Sequence, residues 1–193
     1  MDISILNEAQ LSQLNQLIAS ADTILITCHK SPDGDAIGSC LAWAEYLRTC
    51  EKEAIVIVPD QYPDFLQWLP NTEKIVRYDK HPEKCDMLFK IADLVFCLDF
   101  NTTSRVQDME ATLVTSPAPK VLIDHHLDPD VPAVLTISQP EACSTCELVF
   151  RIVWQLGGFD RLDKRFAVPV YCGMMTDTGG FLYNSTRPEI YFI

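Results

Sequence analysis

Acidic and histidine side chains follow three short apolar runs of the sequence, at 23–28, 94–98 and 121–123. Carboxylates gathered about 4 Å apart repel each other by roughly 1–4 kcal/mol per pair unless a cation lies between them. A mixed set of His and Asp ligands suits Mn²⁺ or a similar first-row ion better than Ca²⁺ or structural zinc. These side chains therefore predict a site for one or two divalent metals, and they are His29, Asp33, Asp35, Asp99, Asp124, His125 and His126.

The strands and helices that must position these side chains indicate an α/β fold. Short apolar strands alternate with helical segments, which indicates a mostly parallel β-sheet with helices on both faces. Ligands bind such sheets outside the carboxyl ends of the strands, where these residues fall. Taken singly, each Asp could be a helix cap, and each His a hydrogen-bonded structural residue. The predicted strands are 23–28, 54–58, 94–98 and 121–123, and the predicted helices are 11–18, 36–48, 146–156 and 164–175, with a further helix opening at 187–193.

Composition excludes some classes of function. The chain has 193 residues and a formal net charge of −12, which argues against binding long nucleic acid through a broad basic face. No apolar run approaches the roughly 18 residues of a membrane span, and no basic leader is visible, so we expect a reduced, cytoplasmic protein. Cys143 and Cys146 form one CxxC pair, but zinc would need a second pair, so a structural role is favoured.

Four ordered motifs resemble the DHH phosphoesterase superfamily. They are HKSPDGDAIGS at 29–39, Leu98-Asp99, the Asp-His-His triplet at 124–126 and GMMTDTGGF at 173–181. Within this superfamily, the sequence of the first motif most resembles that of the bacterial oligoribonuclease (nanoRNase) and 3′-phosphoadenosine 5′-phosphate phosphatase branch. That branch is related to RecJ exonuclease and the cyclic-di-AMP phosphodiesterases. The resemblance covers nearly the whole chain.

The resemblance implies two Mn²⁺ ions, with Mg²⁺ or Co²⁺ as alternatives. It places His126 beside the scissile phosphate, to bind it or transfer a proton, and gives Asp124 the task of orienting an imidazole. Asp177 follows a predicted helix, so its assignment depends on the resemblance alone. The implied ligands are His29 and Asp33 for one ion, Asp35, His125 and Asp177 for the other, and Asp99 as the bridge.

Two further positions have a functional and a plain interpretation. Ser144, next to Thr145, could steady a substrate phosphate or the metal ligands, or could simply cap the helix that follows. Arg105, soon after Asp99, could contact a phosphate oxygen, or could be a solvated surface residue.

The resemblance implies a hydrolase that cleaves short oligoribonucleotides to mononucleotides and removes the 3′-phosphate of phosphoadenosine phosphate, using hydroxide activated by two metals. The alternatives are a cyclic-di-AMP or pApA phosphodiesterase, an inorganic pyrophosphatase and an inactive nucleotide-binding regulatory module. The expected partners are short RNA or small nucleotides. We expect no association with a membrane, and a homodimer is left open. We expect residues 1–187 to be the catalytic domain and 188–193 to lead to a DHH-associated substrate-binding domain that this chain lacks.

Overall fold

The protein is described here from a computed structural model, which covers residues 3–193, so the first two residues of the predicted domain lie outside the described part. Six strands form one sheet in the order β3-β2-β1-β4-β5-β6, and every neighbouring pair is parallel. The chain therefore leaves β1 toward one edge and returns to β4 on its other side, which makes the β1–β4 boundary the switch point of the sheet. The strands are β1 Ile24–Thr27, β2 Ala54–Val58, β3 Val76–Arg77, β4 Leu94–Leu98, β5 Lys120–Asp124 and β6 Leu135–Ser138.

Helices cover both faces of the sheet, as predicted. One hydrophobic core lies under α1, α2, α5 and α6, and a second, smaller one lies under α3 and α4 on the opposite face. No helix in residues 3–193 is both long enough and apolar enough to span a membrane. The helices are α1 Glu8–Ser20, α2 Gly34–Thr49, α3 Pro82–Ile91, α4 Glu110–Thr115, α5 Thr145–Leu156 and α6 Lys164–Asp177.

The central strands form where β-branched and apolar residues run without a polar break. Every residue of β1, β4 and β5 is buried, as expected for parallel strands covered on both faces. Four elements were not predicted, namely strands β3 and β6 and helices α3 and α4. Strand β3 has only two residues, and only half of the side chains of β6 are buried. Strands this short carry too little periodicity to be recognised in the sequence.

Helices α2 and α6 cross in close contact at glycines. A Cβ atom on Gly38 would lie 2.5 Å from the carbonyl oxygen of Pro169, and one on Gly173 would lie 2.8 Å from Oδ1 of Asp35. Helix α6 continues past Pro169 and ends at Asp177, two residues beyond the predicted end. The segment expected to open a further helix forms a single 3₁₀ turn, Pro188–Tyr191.

Candidate metal centre

His29 stands just beyond the carboxyl end of β1 and is almost fully buried. Its Nδ1 lies 2.8 Å from the carbonyl oxygen of Lys30, and because a carbonyl only accepts, Nδ1 carries the proton. Nε2 is therefore the nitrogen that could bind a metal, and it lies 3.5 Å from Oδ2 of Asp99 and 3.8 Å from Oδ2 of Asp33.

His125, beyond the end of β5, is oriented in the same way. Its Nδ1 lies 3.3 Å from the carbonyl oxygen of Ala142, which leaves Nε2 as the free acceptor. That atom lies 3.5 Å from Oδ2 of Asp177, 3.6 Å from Oδ1 of Asp99 and 3.8 Å from Oδ2 of Asp35. Both imidazoles thus direct Nε2 toward carboxylates.

The spacing of these atoms fits two cations. Two ligands bound about 2.1 Å from one ion are roughly 3.0–3.6 Å apart, close to the separations measured here. The ligand atoms within each set lie within 4.8 Å of one another. Asp99 presents one carboxylate oxygen to each imidazole, so it joins the sets as a shared ligand would. Two of the sets are His29, Asp33 and Asp99 on one side, and Asp35, His125 and Asp177 on the other; a third combination, Asp99, His125 and His126, overlaps both.

The fully buried Asp35 is held at the amino end of α5. Its two carboxylate oxygens accept hydrogen bonds from the backbone N–H groups of Thr145, at 2.6 Å, and Cys146, at 2.8 Å. A helix N-terminus stabilises negative charge through these free amides. Burial nevertheless raises the pKa of Asp35 well above its usual range, and the negative charges of Asp99 and Asp177 raise it further.

Asp99 is positioned by its backbone and by a threonine. Its φ of 64° lies in the left-handed region, which non-glycine residues occupy at a cost of about 1–3 kcal/mol unless their surroundings impose it. The Thr145 hydroxyl donates to its Oδ1 at 2.9 Å. Burial favours the neutral carboxyl, but pairing with His29 and the other imidazoles outweighs burial and lowers the pKa of Asp99.

The cluster without cations carries unbalanced negative charge. Burial raises the pKa of Asp177 to about 6, with His125 opposing that rise and Asp99 adding to it. Burial opposes protonation of His29, but its pairing with Asp99 outweighs burial and raises the His29 pKa to about 9. Positive charge among these carboxylates is therefore favourable.

Asp124 and His126 form a hydrogen-bonded pair that adjoins the cluster, since Nδ1 of His126 also lies 3.8 Å from Oδ1 of Asp99. Nδ1 of His126 donates to Oδ1 of the buried Asp124 at 2.7 Å, and this hydrogen bond raises the pKa of His126. Arg105 is exposed, and its positive charge opposes that rise. Its backbone carbonyl accepts from the N–H of Lys30, so the Arg105 segment is attached to the first motif.

Ser144 caps a helix, and its contact with a substrate phosphate stays a prediction. It is fully buried, and its Oγ caps α5 by accepting from the N–H of Glu147 at 3.1 Å. The residue that contacts the acidic cluster is its neighbour Thr145, a distinction that the sequence did not reveal because both are small hydroxyl residues. Cys143 and Cys146 are buried, and neither belongs to a candidate metal cluster in residues 3–193.

The sequence matches a known family over most of its length. Residues 23–174 match the N-terminal domain of the DHH family. The chain belongs to that family. The predicted resemblance to DHH proteins and the predicted α/β fold are therefore confirmed.

Relatives of this DHH chain carry several activities in their names. It is 32% identical to the bifunctional oligoribonuclease and PAP phosphatase NrnA of Thermus thermophilus, over 86% of this chain and 47% of that protein. It is 27% identical to the cyclic-di-AMP phosphodiesterase GdpP of Geobacillus thermodenitrificans, over 87% of this chain and 26% of that protein.

Solved structures resemble the DHH chain over nearly its full extent. A crystal structure of an exopolyphosphatase-related protein from Bacteroides fragilis superposes with a TM-score of 0.95 at 45% identity, covering 97% of this chain and 55% of that one. The exonuclease RecJ bound to manganese has a TM-score of 0.59 at 15% identity, over 96% of this chain and 47% of that one, and so shares the fold. The chain spans about half the length of the NrnA and Bacteroides proteins.

Proposed function

We propose that this DHH chain carries the metal centre of a phosphoesterase that cleaves short oligoribonucleotides to mononucleotides and removes the 3′-phosphate of phosphoadenosine phosphate. The observation that supports it is the pair of ligand sets joined by Asp99, each completed by an imidazole with its Nε2 directed inward. NrnA, the relative at 32% identity, is named for both activities.

We infer that the two sets hold two divalent cations. Such a pair lowers the pKa of water enough to supply a nucleophile at neutral pH and neutralises charge on a phosphoryl group. Imidazole and carboxylate donors favour a first-row ion, and RecJ, which shares the fold, binds manganese, so Mn²⁺ is the first choice. In this assignment His29 and Asp33 hold one ion, Asp35, His125 and Asp177 hold the other, and Asp99 bridges them.

The remaining polar side chains would act on the substrate. His126, kept protonated at Nδ1 by Asp124, would bind a phosphate oxygen or pass a proton to the leaving oxygen through Nε2. Arg105, exposed in the segment that contacts the first motif, would attract the phosphate and contact one of its oxygens. Asp124 would act only through the imidazole that it orients.

The test is a substrate panel with Mn²⁺: diribonucleotides, phosphoadenosine phosphate, cyclic-di-AMP, pApA and pyrophosphate. We expect the protein to hydrolyse diribonucleotides and phosphoadenosine phosphate. In Asp99→Asn the rate should fall at least about 100-fold, because this change removes negative charge from both ligand sets. Asp160→Asn is the matched control, since Asp160 is exposed and outside the cluster.

Other results would replace the proposal. The cyclic-di-AMP phosphodiesterase among the relatives makes preferred turnover of cyclic-di-AMP or pApA the main alternative. Nucleotide binding with no turnover at any Mn²⁺ concentration would indicate a regulatory module. Equal activity in Asp99→Asn and Asp160→Asn would remove the metal cluster from the reaction.

A further inference from the structure

Tyr183 is an exposed aromatic side chain in the segment that directly follows the candidate ligand Asp177. The ring is 71% exposed. In residues 3–193 its hydroxyl has no hydrogen-bond partner, so it does not stabilise the fold through that group. An aromatic ring left in water at the edge of a candidate active site is the kind of surface on which nucleobases stack.

The backbone that carries this ring is fixed. The carbonyl oxygen of the buried Thr178 accepts from the N–H of Leu182 at 3.0 Å and from the N–H of Tyr183 at 2.9 Å. The Ser185 hydroxyl donates to the carbonyl of Phe181 at 2.7 Å, and the Thr178 hydroxyl accepts from the Phe181 N–H. The ring therefore stands on a hydrogen-bonded turn, and a ligand that stacks on it need not order a mobile loop.

The turn is also tied to the metal cluster. Asn184 donates from Nδ2 to the carbonyl oxygen of Ala142 at 3.4 Å, and the same oxygen accepts from Nδ1 of His125. The ring packs on Gly179, where an added Cβ would lie 2.8 Å from Cδ2 of Tyr183. Gly179 is two residues from Asp177, so the ring edge lies at most about 12 Å from the Asp177 Cα.

We propose that Tyr183 is the platform on which a nucleobase of the substrate stacks while its phosphate lies at the metal cluster. This inference rests on the proposed function and narrows its substrate class to nucleotides, as opposed to base-free phosphates such as pyrophosphate or polyphosphate. The upper limit of about 12 Å leaves the ring within reach of a base attached to the nucleotide that carries the scissile phosphate. Stacking also tolerates all four bases, as degradation of short RNA requires.

The test compares two ligands that differ only in the base, AMP and ribose 5-phosphate, bound by calorimetry to the Mn²⁺-loaded protein. We expect the wild type to prefer AMP by about 5- to 100-fold. Tyr183→Ala should abolish that preference by weakening AMP alone, whereas Tyr183→Phe should keep it, because the ring and not the hydroxyl does the stacking. Leu182→Ala, at a neighbouring 79% exposed position, is the matched control and should keep the preference.

Several outcomes would overturn the inference. Equal weakening of AMP and ribose 5-phosphate in Tyr183→Ala would assign the residue a structural role. No preference in the wild type, or loss of it in Leu182→Ala, would also exclude the platform. These binding measurements do not depend on turnover. A protein that hydrolyses nothing in the substrate panel would therefore refute the proposed function, while the preference for AMP over ribose 5-phosphate would still test the role of Tyr183.

Discussion

Replacing Gly38 by alanine tests whether the α2–α6 crossing positions the ligands. The new Cβ would lie 2.5 Å from the Pro169 carbonyl oxygen and 3.0 Å from Sγ of Cys146. An ordinary C···O contact is about 3.3 Å, so α6 must retreat by roughly 0.8 Å, since a backbone oxygen cannot rotate away. Overpacking of this kind costs about 2–3 kcal/mol, and the better helix propensity of alanine returns up to about 1 kcal/mol.

The expected net destabilisation by Gly38→Ala is therefore about 1–2 kcal/mol, or a melting temperature lower by roughly 2–8 °C for a domain of this size. Because α2 carries Asp35 and α6 carries Asp177, we also expect the affinity for Mn²⁺ to fall about 10-fold. Urea unfolding and calorimetric titration measure the two effects, and Ala44→Gly on the same helix calibrates propensity. A gain of about 1 kcal/mol in Gly38→Ala, the propensity effect alone, would refute the tight crossing.

Two more substitutions test contacts of side chains in the first turn of α5. Thr145→Val removes the 2.9 Å hydrogen bond to Asp99 but keeps the backbone amide, so Mn²⁺ affinity should fall about 10- to 100-fold by calorimetry and recover in Thr145→Ser. Equal affinity in the two variants would contradict this role. Glu147→Ala leaves the buried Arg151, and the partly buried Arg187, without their shared carboxylate, so urea unfolding should show a loss of about 3–5 kcal/mol. An unchanged free energy of unfolding would contradict that expectation.

The sequence carries enough information to place most of the site at one sheet edge. Runs such as 94–98 are apolar throughout, which marks them as central parallel strands, and parallel strands bring their carboxyl ends together. His29, Asp99 and His125 could therefore be expected to meet before any distance was known. The side chains that strands position are predictable for this reason.

Residues positioned by helix ends and turns are harder to predict. Asp177 reaches the cluster because α6 crosses α2 at glycines and continues beyond Pro169, a tertiary arrangement with no periodic signal. Thr145 and Ser144 are chemically alike in sequence, and only the start of α5 decides which one caps the helix and which one contacts Asp99. Tyr183 had no signal at all, because exposure depends on the turn after α6.

The location of the cluster decides how its negative charge is compensated. Asp35 receives two amide hydrogen bonds from the amino end of α5, yet burial still leaves its pKa well above the usual range. The helix end therefore does not offset the burial of Asp35, and a divalent cation would be a stronger source of positive charge. Two such cations would also explain how a chain with a net charge of −12 could attract a nucleotide, since at short range a bound ion outweighs the distant, screened charges of the protein.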